Sequence, residues 1–375
     1  MSAATPPGLV VVPLPVPADL DAPEAWLLRG LVDCANETLL DSWGVPDDSR
    51  TAGETLGGLH HQEYDLKLRF VALDRPVDEG PADPARVLGY LAMNLPRQDN
   101  THTGFCRLDV RPAHRRRGIG TALHGRAVAE ARAHGRSMLM SNTDQAVEPP
   151  AGDDTLAPPT GSGRVRTSDA AVRFALRHGW QLEQVARRSV LDVPLDPAVL
   201  DRHRAEAQQA AGPDYRAVTW TGRCPDVWVD QFAWLQSRMS TDTPMGGLDM
   251  REDVWDAARV RTAEQAFAER GMTCRVAAAE HAPTGRLTAF TALVSRADTD
   301  EYVMQDDTLV LREHRGHRLG MLVKAANLQV LATAQPGTRR IGTWNAEENA
   351  HMLAINVALG FRPAGGSGEW QLRLT

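Results

Sequence analysis

The sequence predicts an α/β chain made of two tandem α+β domains, and three observations carry the prediction. The first is the stretch Leu108–Leu123, LDVRPAHRRRGIGTAL, where a short apolar run meets a proline, a basic glycine-containing turn and then an apolar-periodic helix. The second is Leu309–Val323, LVLREHRGHRLGMLV, which repeats that order with Arg315 standing 200 residues after Arg115. The third is the end of each copy: RFALRHGW closes a helix on Gly179 and Trp180, and AINVALGF closes one on Gly360 and Phe361. At 375 residues the chain is long for one core and comfortable for two. The expected domains are 1–196 and 214–375, joined by a polar, alanine-rich helical linker at 197–213.

In the first domain Leu9 to Pro13 reads as a strand, and Glu24 to Ser42 as an amphipathic helix with Trp26, Leu27, Leu31 and Ala35 near one face. Leu66 to Leu73 and Val87 to Leu95 flank a Pro/Asp/Gly-rich turn and read as a hairpin. Thr103 to Val110 is the strand entering the basic turn; a helix follows from near Thr121 to His134, stopped by Gly135, and Ser137 to Ser141 is the next strand. Thr143 to Ser168 is too rich in proline, glycine and aspartate for regular structure and is expected to be a long, mobile loop, a spacer or a lid. It accounts for the excess of 19 in the spacing from Arg115 to Gly179, 64 residues against 45 from Arg315 to Gly360. Ala170 to His178 is a helix and Arg188 to Val193 a closing strand.

The second domain opens on a strand at Tyr215 to Trp220 and a helix at Pro225 to Met239, whose Trp228, Phe232, Leu235 and Met239 recur at helical spacing. Ser240 to Met250 is a loop and Arg251 to Arg270 a charged helix. Thr273 to Glu280 and Arg286 to Val294 form a second hairpin, and Tyr302 to Leu311 is the strand into the second basic turn. Leu319, Val323, Ala326 and Val330 mark the apolar face of the helix beyond it, and Arg340 to Trp344, Glu347 to Leu359 and Trp370 to Leu374 complete the domain.

Composition bounds the function. An apolar fraction of 42% and a charged fraction of 24% are those of a globular protein. No apolar run reaches membrane-spanning length, and the proline-broken start MSAATPPGLVVVPLPVP lacks a basic leader, so a cytoplasmic location is expected. Cys34, Cys106, Cys224 and Cys274 have neither CxxC nor Cys/His spacing, which predicts buried free thiols and no metal site. The formal charge of −7 disfavours nucleic acid as a partner and suits a cationic small molecule. A monomer or homodimer is expected.

Both turns carry the parts of a pyrophosphate site. Glycine lets backbone approach a ligand closely, a helix start leaves N–H groups free, and arginine adds positive charge. In the first turn these are Arg115, Arg116, Arg117, Gly118, Ile119, Gly120 and Thr121; in the second, Arg315, Gly316, His317, Arg318, Leu319, Gly320 and Met321.

Arg-x-x-Gly-x-Gly after a strand, with a later helix ending in Leu-Gly-Phe or similar, resembles the GCN5-related N-acetyltransferases (GNAT), here as two such domains in tandem, a layout similar to that of mycothiol synthase. The resemblance implies that each domain is a mixed, mostly antiparallel sheet flanked by helices, and that acetyl-CoA is the cosubstrate of an N-acyl transfer. It implies that Val110 or Val310 donates a backbone N–H to the developing oxyanion, and that Asp306 and Asp307 stand where the family often keeps an acidic base. Arg107 matches Asp307 in the first domain, where Asp109 is the nearest acid. Asn349 resembles a helix-start asparagine that contacts coenzyme A, with Ser168 in its place in the first copy. Ala175 and Asn356 replace the tyrosine that usually protonates the thiolate, and His314, His317, His351 and Tyr302 are the nearby alternatives. Gly118 is replaced by Arg318 in the second turn. The second domain is favoured for catalysis, and the expected acceptor is a small cationic amine held by Asp242, Asp249, Asp306 and Asp307 between Trp228, Trp234 and Trp255. A coenzyme A-binding module without turnover is the other reading.

Overall fold

A computed structural model describes residues 8–374, so part of the proline-rich start on which the expectation of no leader rested lies outside the described residues. The chain divides into two compact units, one running to Ala146 with Arg166–Glu183 and the stretch from Gly368, the other holding Val147–Val165 and Gln184–Ser367. The division is therefore not a single cut near 196.

The first unit is built on β1 (Val10–Pro13), α1 (Ala25–Trp43), α2 (Ala52–His60), β2 (Asp65–Leu73), β3 (Val87–Pro96), β4 (Thr103–Val110), α3 (Ile119–Ala133) and β5 (Met138–Gln145). Its sheet runs β1-β2-β3-β4-β5, antiparallel except for the parallel pair β4 and β5. Helix α1 buries Trp26, Leu27, Leu31 and Val32 against β2 and β3 and ends on Gly44 in the left-handed conformation. Helix α2 went unread in the sequence, although Thr51 and Glu54 form a reciprocal capping box and Leu56 and Leu59 supply its buried face.

The inserted stretch holds only the short strands β6 (Thr155–Leu156) and β7 (Val165–Arg166), before α4 (Ala170–Arg177) and β8 (Gln181–Asp192). It is not the free loop expected. A Cβ on Gly163 would come within 2.7 Å of Val185 and 2.9 Å of Glu347, so this part of the stretch lies tightly against the second unit to which it belongs.

The second unit continues with α5 (Pro197–Ala211), β9 (Tyr215–Thr221), α6 (Val229–Asp242), α7 (Ala257–Glu269), β10 (Thr273–His281), β11 (Arg286–Ser295), β12 (Tyr302–Val310), α8 (Leu319–Ala334), β13 (Arg340–Ala346), α9 (Ala350–Leu359) and β14 (Arg362–Arg373). Sheet order is β8-β13-β12-β11-β10-β9, with β12 and β13 the parallel pair. The stretch expected to be a linker is α5, whose Leu200, Ala207 and Ala211 join the core formed with α8. On the other face, α6 and α7 cover Val276, Phe290 and Leu309. Cys34, Cys106 and Cys224 are buried free thiols, and Cys274 is half-buried and free.

Candidate active site

Each unit places its basic turn between the end of a strand and the start of a helix. In both, the helix begins at the residue after the left-handed N-cap, Ile119 or Leu319, two residues before the start expected at Thr121 in the first copy. Two residues of each turn take positive φ: Arg116 (65°) and Gly118 (81°) in the first, Gly316 (89°) and Arg318 (53°) in the second. The second turn therefore keeps the backbone path of the first with its glycine moved two places, and Arg318 bears the left-handed conformation that glycine takes more easily.

Arg115 and Arg315 act first on the turn itself. Each turns Nε to the carbonyl of the last strand residue, Val110 at 3.1 Å or Val310 at 3.2 Å. Arg115 also pairs with Asp41 at 2.7 Å, and Arg315 donates to the Asp242 carbonyl at 3.2 Å. Arg116 and Arg117 are exposed beside the free helix start, Arg117 also donating to the Ala113 carbonyl at 3.1 Å. Asp242 is thereby removed from the acceptor-binding set. Its buried carboxylate takes Arg238 at 2.6 Å and Arg312 at 3.4 Å, bracing the second turn from the end of α6.

Ahead of the turns the parallel strands part. Pairing of β4 with β5 ends at Phe105 and Met140, and pairing of β12 with β13 ends at Gln305 and Thr343, though all four strands continue. Arg111 and Leu311 donate their N–H groups to Leu88 and Thr288. Antiparallel strands alternate the direction of their amides, so the N–H of Val110 and of Val310 points the other way, into the gap. Each is aimed where an oxyanion donor belongs.

The two gaps differ in what borders them. In the second unit the register of β11 against β12 slips between Thr291 and Leu293, so Asp306 and Asp307 together oppose Ala292 in a β-bulge where β12 leaves β13. Gln305 fastens the bulge by donating to the Ala292 carbonyl at 2.7 Å and to Thr291 Oγ1 at 2.9 Å. Burial of the Asp307 carboxyl, reinforced by the charge of Asp306 beside it, pushes its pKa up to about 7. In the first unit β3 and β4 stay in register and Arg107 occupies the matching position, reaching across to Asp144 at 2.7 Å and to Asp109 at 2.9 Å. Burial alone would raise Asp109; the Arg107 guanidinium and the Tyr90 hydroxyl, 2.7 Å away, outweigh it and hold the carboxyl below its usual range. A salt bridge thus spans the gap that lies open in the second unit.

Asn349 caps α9 through Oδ1, 3.2 Å from the Met352 N–H. In the first copy that duty falls to Asp169, not Ser168, as Asp169 accepts from Ala171 and Val172. His314 meets the Tyr215 hydroxyl at 2.8 Å and His317 lies against the Tyr215 ring, so both turn toward β9 at the far edge of the sheet. Tyr302 is buried over Gly342. Trp228 and Trp255 pack on the core and Trp234 is exposed. The acids near the second gap that sequence reading missed are Glu148 from the inserted stretch and Glu347, which holds Arg187 at 2.6 Å. Burial and the Glu347 charge both raise the Glu148 carboxyl, which hydrogen-bonds Glu347. Among the described residues no group of histidine, cysteine and acidic side chains is arranged to hold a metal ion, and no helix is long and apolar enough to cross a membrane.

Paired turns at helix starts, parting parallel strands and an inward amide describe an acyltransferase that grips a nucleotide thioester. The acetyltransferase (GNAT) family model matches residues 43–151, which supports reading the chain as a tandem N-acetyltransferase of that superfamily, whose members transfer acyl groups from acyl-CoA. It is similar to a tandem GNAT protein from the clavulanic acid biosynthesis pathway, at 26% identity and a TM-score of 0.73 over 98% of this chain and 99% of that one. It shares its fold with a GCN5-related N-acetyltransferase from Sphaerobacter thermophilus, at 13% identity and a TM-score of 0.59 over 99% and 97%. The glucosamine N-acetyltransferase region of a fungal multi-domain GH3 β-N-acetylglucosaminidase aligns at 15% identity and a TM-score of 0.56, covering 97% of this chain and 38% of that one. No curated protein matches the sequence.

Proposed function

We propose that the second unit transfers an acetyl group from acetyl-CoA to the primary amine of a small cationic metabolite or antibiotic-like molecule, and that the first unit binds or scaffolds without turnover. The observation that carries the reading is the bulge at Asp306–Asp307, set where β12 and β13 part, against the Arg107–Asp144 bridge at the same place in the first unit.

The second turn would hold the pyrophosphate through the N–H groups of Leu319, Gly320 and Met321 with Arg318 and His317 beside them. Asp307 takes a proton from the substrate ammonium, and the freed amine attacks the thioester carbonyl. Val310 N–H receives the oxyanion, the attacking nitrogen gives up its second proton to solvent, and collapse of the intermediate expels the thiolate. Asn356 has no proton to release, so the sulfur is protonated by solvent. A carboxylate titrating near neutrality suits this task better than an ordinary aspartate, because a base works best with a pKa close to the working pH. Asp306, Asp307, Glu148 and Glu347 give the second unit an acidic setting that fits a cationic acceptor.

The test is release of free thiol from acetyl-CoA with a panel of amines. Asp307→Asn is expected to lower turnover by about 10²-fold. Turnover near wild type in Asp307→Asn, together with its loss in Gly120→Val, would assign the chemistry to the first unit.

A further inference from the structure

Asn356 presents a buried acceptor that neither the base nor the oxyanion donor uses. It sits on α9 and is 1% exposed. Its Nδ2 donates to Asn345 Oδ1 at 2.7 Å, while its own Oδ1 is buried and has no hydrogen-bond partner among the described residues. A buried oxygen in this state weakens the fold until a ligand brings it a donor.

Its surroundings say which ligand. Asn345 lies on β13 two residues past Thr343, the last to pair with β12, so the asparagine pair borders the gap between the strands. The preceding residue, Ile355, reaches to 2.9 Å from where a Cβ on Gly320 would stand, so this turn of α9 rests on the first turn of α8, beside the phosphate-binding backbone. A thioester gripped at that turn and reacting near Val310 must lay its arm along this wall.

We propose that Asn356 Oδ1 accepts a hydrogen bond from an amide N–H of the pantetheine arm of coenzyme A, making Asn356 a positioning residue for the thioester. The proposal rests on the reading of the second unit as the acetyl-CoA site. The thioester sulfur has no proton to give, whereas the arm's amides are donors of the kind the orphaned oxygen lacks. In the first unit the matching residue is Ala175, which is buried and has no polar side chain. The register of β4 with β5 and of β12 with β13 sets Thr143 against Asn345, and Thr143 Oγ1 already accepts from the Trp370 indole at 2.9 Å. The first gap offers the arm no such acceptor.

Calorimetric titration of the full chain with coenzyme A, and separately with 3′-phosphoadenosine 5′-diphosphate, which lacks the arm, tests this on a Gly120→Val background that silences the first turn. Asn356→Leu is expected to weaken coenzyme A about 10-fold and leave the armless nucleotide unchanged. Asn345→Ala, which loosens the pair while sparing Oδ1, should lie between Asn356→Leu and the parent. Coenzyme A affinity within about twofold of the parent in Asn356→Leu, or an equal loss for both ligands, overturns the proposal. A parent protein that binds neither ligand overturns the coenzyme A reading beneath it.

Discussion

Gly118 and Arg318 hold the same place in the two copies, the left-handed N-cap of the turn helix, at φ 81° and 53°. An arginine there bears a strain that glycine does not, of about 1 kcal/mol, partly offset by the extra freedom glycine has in the unfolded chain. Arg318→Gly is expected to be neutral to about 1 kcal/mol stabilising in urea unfolding, whereas Arg318→Val should cost more than about 1 kcal/mol. Destabilisation by the glycine variant would mean that the arginine's contact with Glu206, 3.7 Å away, matters more than its backbone.

Because Asp307 is raised to about 7, it is mostly protonated and idle as a base below that pH. The rate constant kcat/KM should climb with pH through about 7 to a plateau. Asp306→Asn removes the neighbouring charge and should move the limb to lower pH, with the plateau kept within a few-fold. A limb that stays in place in that variant would assign it to another group.

The Arg107 bridge makes a stability prediction with a defined sign. Asp109 is depressed in the fold, so its contribution is complete above the usual carboxylate range and is lost as pH falls through its folded pKa. Arg107→Met should cost roughly 1–3 kcal/mol at pH 7, since it strands two carboxylates, and the difference should shrink in acid. Equal costs at pH 7 and pH 3 would contradict the pairing.

Lys324 is buried with its ammonium over the Phe361 ring at 5.9 Å, and burial lowers its pKa to about 7. The unfolded chain holds this proton up to about 10.5, so the fold loses stability as pH drops from about 10.5 to 7, and the penalty stays constant below. Lys324→Met should stabilise the protein by roughly 2 kcal/mol or more at neutral pH, with the gain vanishing near pH 10.5. A gain that persists at pH 10.5 would trace to packing instead.

Acceptor choice is read from salt. Steering of a cation by an acidic protein weakens as ionic strength rises, so kcat/KM for a polyamine should fall toward about 0.5 M salt with kcat less affected. A salt-independent value, or a preference for glutamate-like amines, would exclude a cationic acceptor.

Most strands and both turns were legible because alternation, proline and glycine are local signals, although β8 begins at Gln181 and β14 at Arg362, seven and eight residues ahead of the expected starts. Thr103 to Val110 is read to the residue, and the Gly-aromatic pair does follow α4 and α9. Helix α5 was misjudged because only a narrow stripe, Leu200, Ala207 and Ala211, faces inward from a polar sequence. The bulge at Asp306 could not be read, since register belongs to a pair of strands and no single strand encodes it. Asp242 looked like a free acid because α6 was expected to end at Met239, which hid its i,i+4 pair with Arg238, and because Arg312 is remote in sequence; Glu148 looked like part of a loop because 199 residues separate it from Glu347.

The stretch from Gly368 belongs to the first unit, where Trp370 is fully buried, its indole bonds Thr143 at 2.9 Å, and Leu374 donates to the Ser137 carbonyl at 2.8 Å. On the ribosome, then, the unit begun first is finished late: β5 emerges and waits while the whole of the second unit is synthesised. Until then it keeps Ser137 and Thr143 without these partners, and a fragment cut at 196 would carry the same defect for good. A nascent chain of this kind needs either rapid completion or a chaperone over that edge, and ribosome-bound intermediates should be protease-sensitive at β5 after α1 and β2 are already protected.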